Sequence, residues 1–156
     1  MKLLKLHDAK RGFTLIELLV VIVIISVLAT LLMVNFVGVR ARGRDTTRKS
    51  DLRQLQVALE LYRSDVGTYP PSLAACGTPV ISGGTTYIAK VPCDPLGTSM
   101  TYNSGVYYYN SPAGNATYTL GACIENSNDS DSNTTSTSPG GTGACTAGKY
   151  FVLINP

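Results

Sequence analysis

A chain of 156 residues with 44% apolar content is long enough for one domain plus an attached segment, and too apolar to be wholly disordered. Its formal charge of +3 is uneven: residues 1–63 carry eleven Lys or Arg against five acids, and the remainder two against five. The one histidine, His7, stands in the first dozen residues, so the main domain has no imidazole, and Ser-His, Cys-His and His-zinc chemistries are excluded.

Residues 1–12, MKLLKLHDAKRG, carry four positive charges and end in Gly12. From Leu18 to Val39 no residue is charged, and 22 helical residues span about 33 Å, enough to cross a hydrocarbon core. A secretory signal has a shorter apolar region and a small-residue cleavage site, so this run reads as a transmembrane helix. Basic residues beside an apolar run suit a membrane better than nucleic acid, because neither aromatic nor recognition-helix context accompanies them. No nucleic-acid partner is expected. Charge counting leaves the orientation ambiguous, since Lys2, Lys5, Lys10 and Arg11 on one side compete with Arg40, Arg42, Arg44, Arg48, Lys49 and Arg53 on the other.

The next segment continues as helix. Leu52, Leu55, Leu59, Tyr62 and Val66 recur at spacings of three and four, an amphipathic stripe that needs a protein surface to cover it. No proline interrupts residues 13–66, although Gly38 and Gly43 weaken the middle; Gly67 and Pro70-Pro71 stop the helix. The basic run Arg40 to Arg53 reads as a solvated or headgroup-contacting face.

Beyond it, Tyr87–Val91, Met100–Asn103, Val106–Asn110, Thr117–Ile124 and Tyr150–Ile154 are rich in Tyr, Val, Thr and Ile and read as strands, with Asn103-Ser104-Gly105 turning a hairpin. Tyr118, Leu120, Ala122 and Ile124 alternate with smaller or polar residues and supply the inward face. The fold class is therefore α+β: a long N-terminal helix, transmembrane and then amphipathic, packed on a small antiparallel β-sheet. Four cysteines, Cys76, Cys93, Cys123 and Cys145, form no C-x-x-C pair and read as two disulfides. They allow three connectivities. Cys76 with Cys93 and Cys123 with Cys145 is the expected one, because neighbours in sequence close short loops. Residues 126–144 form a polar loop too poor in apolar groups to pack alone. Within it Asp129, Asp131 and Asn133 have the odd-position spacing of hard oxygen ligands for calcium, yet the EF-hand glycine and final glutamate are replaced by Thr134 and Gly140, which favours a solvated loop.

The informative motif is Gly12-Phe13-Thr14-Leu15-Ile16-Glu17. An acid deep in a bilayer costs about 2.5–3.5 kcal/mol and less near the interface, so Glu17 calls for a partner. Were the chain cut after Gly12, the new α-amino group on Phe13 would lie one helical turn from that carboxylate. In a bundle of such helices the carboxylate of one subunit meets the amine of the next, and removing either would strand a charge in a low-dielectric core. The alternative is a Glu17 that rests in water at the bilayer surface.

The string RGFTLIELLVVIVIISVLATLL resembles the N-terminus of type IV pilins and of the pseudopilins of type II secretion. DLRQLQVALELYRSDVGTYPPSL, followed by YIAKVPCDPLG with Pro92, Asp94 and Pro95, resembles the major pseudopilin. That family implies a prepilin peptidase cutting between Gly12 and Phe13 and methylating the Phe13 amine, and a role for Glu17 in registering subunits. The implied organisation is a leader over 1–12, a transmembrane and filament-core half-helix over 13–39, an amphipathic half-helix over 40–66 and a globular head over 67–156. The implied partners are further copies of the chain, minor pilins or pseudopilins, the peptidase, an inner-membrane assembly platform and the membrane itself. The implied location is the cytoplasmic membrane, crossed once with the C-terminal domain outside, and then a periplasmic or extracellular filament. No catalytic residue and no cofactor other than the calcium alternative is expected. Val34 stands where the major pseudopilin usually carries proline, and the cysteine pairs are closer to pilin habit, so pilin and pseudopilin both stay open. The rival of another class is a monomeric bitopic protein displaying an adhesin or sensor domain.

Overall fold

The computed structural model describes residues 12–99 and 102–155. Apart from Gly12, the expected leader over 1–12 lies outside the described residues. One helix, α1 (Leu15–Val66), takes in Gly38 and Gly43, and the chain divides between Val37 and Gly38 into two compact units. In the first unit every large apolar residue described from Leu15 to Val37 is exposed, and Ser26 and Thr30 return their hydroxyls to the carbonyls of Ile22 and Ser26, so these two hydroxyls are satisfied within the helix.

In the second unit, strands β1 (Val80–Ser82) and β2 (Thr85–Ile88) form a hairpin. The remaining four, β3 (Tyr108–Asn110), β4 (Thr119–Ile124), β5 (Thr134–Thr135) and β6 (Lys149–Ile154), form an antiparallel sheet in the order β3-β4-β6-β5. Leu52, Leu55 and Leu59 of α1 are fully buried against Leu120, Ala122, Ile124, Phe151 and Leu153. This is the half-helix-on-sheet packing that the stripe demands. Tyr62 lies at the margin of the core and Val66 is exposed, because Gly67, in left-handed backbone, ends the helix and donates its N–H to the Arg63 carbonyl at 2.7 Å.

Three expectations are corrected. Tyr102 and Asn103 belong to a short 3-10 turn (Tyr102–Gly105) and not to a strand. Asn103 and Ser104 both adopt positive φ there, and a Cβ on Gly105 would sit 1.8 Å from the Gly97 carbonyl oxygen, so Asn-Ser-Gly makes a packed corner, not a hairpin. The expected strand Tyr87–Val91 shifts to Thr85–Ile88, and β1 was unread. The polar loop leans on its neighbours: it contributes β5, which pairs with β6, and Tyr102 Oη and the Asn103 N–H bond to the Gly140 and Thr142 carbonyls.

The alternation along β4 marks one buried face, yet the strand is buried on both. Tyr102, Cys123, Cys145 and Tyr150 form a second cluster, and Pro139 covers Gly121. The cysteines pair as Cys76–Cys93 and Cys123–Cys145, with Cα separations of 5.2 and 5.5 Å. The second pair carries the 139–148 segment onto that face.

Candidate functional site

At the start of α1, Glu17 is held by its own chain. The Thr14 N–H and hydroxyl both donate to Glu17 Oε2 at 2.8 Å, while the Glu17 N–H reaches Thr14 Oγ1 at 3.3 Å. This is a capping box: Thr at the N-cap and Glu three residues on satisfy two of the donors that every helix start leaves open. All the side-chain bonds fall on Oε2. Phe13 is 88% exposed directly before the cap. The sequence reading of the motif brought together Glu17 and Phe13 but missed Thr14, although Thr-x-x-Glu before an apolar run is itself the recognised signature.

A second charged site lies in the head unit, at residues that the reading of the basic run had assigned to a solvated face. Arg48 is fully buried. Its Nε and Nη2 donate to the two carboxylate oxygens of Asp94 at 2.6 and 3.0 Å, and its Nη1 donates to Asp45 at 2.8 Å and Glu125 at 2.6 Å. Arg44 forks onto Glu125. Asp45 turns both oxygens to the backbone N–H groups of Glu125 and Asn126 at 2.9 Å, and Asp94 accepts the Leu96 N–H. Helix, Pro92–Pro95 turn and the end of β4 are thus tied at one guanidinium. Burial works against the charge of Arg48, but its bonds to Asp94 and Glu125 outweigh it and raise its pKa. The fork from Arg44 holds the Glu125 carboxyl below its ordinary value.

The reading of Arg40 to Arg53 as a solvated face is therefore corrected for Arg48. A signal was present: Arg48 stands four, seven and eleven residues before Leu52, Leu55 and Leu59, on the stripe itself, and Asp45 lies one turn earlier. Of the calcium candidates, Asp129 and Asp131 face Lys49, and the Asn133 N–H donates to Asp131 at 3.0 Å. Among the described residues no group of three or more His, Cys, Asp or Glu is placed to hold a metal ion.

Comparison with known proteins bears on these features. Residues 8–33 match the prokaryotic N-terminal methylation motif, and residues 35–135 match the family model for type II secretion system protein G. Among curated relatives described as type II secretion system core protein G, that of Escherichia coli K12 is 36% identical over 102 residues, covering 58% of this chain and 69% of the relative. The Pectobacterium carotovorum protein is 37% identical over 99 residues, covering 57% and 64%, and the Vibrio cholerae protein 33% identical over 125 residues, covering 71% and 80%. No solved structure gives a significant match. A methylation-type N-terminus with Glu17 in the first helical turn, an apolar half-helix and an amphipathic half-helix seated on a small sheet are the features these matches overlie, and the chain belongs to the type II secretion system protein G family, the pseudopilins.

Proposed function

We propose that this chain is a mechanical subunit of a filament that serves protein export. A prepilin peptidase removes residues 1–12 and methylates the Phe13 amine. The mature subunit waits in the cytoplasmic membrane, crossed once by the 13–39 half-helix with the head outside. An assembly platform then withdraws it into a polymer of its own copies and minor pseudopilins.

The observation that carries this reading is the exposure of the whole apolar stretch: the large apolar residues described from Leu15 to Val37 are between 47% and 81% accessible, with Glu17 the one charge among them. Such a surface is untenable in water and finds a home in lipid or among identical helices. Moving it from lipid into a helix bundle gains little hydrophobic free energy, so packing and polar pairing must supply the register. Glu17 suits this role. Thr14 occupies one carboxylate oxygen, and Oε1 is the oxygen to receive the amine of a neighbouring Phe13, a charge-assisted bond in a dry environment.

Two measurements test the reading. Mass spectrometry of protein from native membranes should give an N-terminus at Phe13 carrying one added methyl. Glu17→Ala should abolish filaments while leaving the subunit folded and membrane-bound. An intact leader on the native protein, or normal filaments from the Ala variant, overturns it.

A further inference from the structure

The loop after β4 presents a pair of carboxylates in metal-ligand spacing, and the structure puts a side chain between them. Lys49 Nζ lies 2.8 Å from both oxygens of Asp129 and 3.3 Å from Asp131 Oδ2. The carboxylates also take bonds from the loop itself. Asp129 Oδ1 accepts the Asp131 N–H at 3.0 Å and the Thr134 hydroxyl at 2.8 Å, and Asp131 Oδ1 accepts the Asn133 N–H. Three of the four oxygens of the pair thus face the Lys49 ammonium, which a cation from solution would have to displace.

The ammonium itself is well placed to be permanent. The Lys49 side chain is only 19% exposed, and its Nζ stands 5.4 Å from the centre of the Phe151 ring, the residue opposite Thr134 in the β5–β6 pairing. The adjoining cavity, about 210 Å³, is lined by Arg42 and Lys49 against Asp45 and Asp129, so its two acids are already matched by two cations of the chain. The same face of α1 grips the preceding residues through Arg44 and Arg48 on Glu125 and through Asp45 on the backbone of Glu125 and Asn126. From Glu125 to Asp131 the loop is thus fastened by consecutive helix turns.

We propose that Lys49 is the resident cation of this loop: an internal ammonium latch that orders residues 126–135 and β5 against the helix and frees the folded subunit from any need for a divalent ion. The latch has two consequences. Chelators leave the loop untouched, because nothing exchangeable holds it. Monovalent salt loosens it slightly, because its partly exposed pairs are screened.

The test is hydrogen exchange of the full chain in detergent micelles, read at the amides of Asp131, Asn133, Thr134 and Val152. In the wild type neither EDTA nor millimolar calcium chloride should change their exchange. Lys49→Met should speed it about tenfold, the equivalent of one charge-assisted hydrogen bond, while Lys49→Arg keeps most of the protection. Because Lys49 also touches Phe151, a second variant is needed that leaves this contact alone. Asp129→Asn with Asp131→Asn should loosen the same amides without altering exchange at Leu120 and Ile124 in the core. Loss of wild-type protection in EDTA, added protection in calcium, or wild-type exchange in both Lys49→Met and the double Asn variant overturns the proposal.

Discussion

Replacing Arg48 by Met removes the guanidinium at the centre of the head and leaves a chain of similar volume. Asp45 and Asp94 stay buried, at 3% and 6% exposure, while Glu125 keeps Arg44. Stranding buried carboxylates by deleting their partner costs about 3–5 kcal/mol. The low end applies here, about 3 kcal/mol, because Asp45 still accepts two backbone N–H groups and Asp94 still accepts that of Leu96. For a unit spanning Gly38–Pro156 that is a fall in Tm on the order of 10 °C. The assay is urea unfolding of the full chain in micelles, followed by tyrosine fluorescence and near-ultraviolet dichroism, since the chain has nine Tyr and no Trp. A second arm decides whether charge is the cause. Adding Asp94→Asn to Arg48→Met should recover about 1–2 kcal/mol, because the amide no longer needs a counter-charge. A cost below about 1 kcal/mol, or a double variant weaker than the single, would refute the reasoning.

Wild-type stability should fall with acidification. Glu125, Asp129 and Asp131 are held below their ordinary values of 4.5 and 3.8, Glu125 chiefly by Arg44, Asp131 first by the Asn133 N–H, and Asp129 by Lys49 against an opposing burial effect. A carboxylate with a lowered folded pKa contributes stability above its unfolded value and loses it as pH falls through the folded one, so the loss should run downward from about pH 4.5 in pH-dependent urea midpoints. Asp51, raised mainly by burial, has the opposite sign and offsets a small part near that pH. Thr14→Val should remove the hydroxyl half of the capping box at a cost of about 1 kcal/mol, visible as faster amide exchange at Glu17 and Leu18 with the head unchanged. Replacing Cys76 and Cys93 by Ala opens a loop of 17 residues and should cost about 3 kcal/mol by chain entropy, read as a fall in Tm.

Much of the candidate site was legible because it is local. The run from Leu18 to Val39 is apolar whatever it touches, and a lone acid within five residues of Phe13 is conspicuous in such a run. The stripe Leu52-Leu55-Leu59 required a covering sheet, and β4 and β6 were readable from their Tyr, Ile and alternating residues. Asn103-Ser104-Gly105 shows where that reading stops. Its composition says turn, but which elements the turn joins depends on Gly105 packing against the Gly97 carbonyl, a contact eight residues away. The strands β1 and β5, of three and two residues, carry too little pattern to be read and exist because a neighbour pairs with them.

The sequence by itself determined the division of the chain into an apolar and a polar part, the acid near the helix start and the periodicity of the packed half-helix, since each follows from side-chain chemistry along a single segment. Only the tertiary structure decided that Arg48 is buried and Lys49 is spent on Asp129 and Asp131. Apart from Asp45, one turn before Arg48, their partners lie 46 to 82 positions away, and a cation looks the same in sequence whether it meets solvent or a carboxylate that folding delivers.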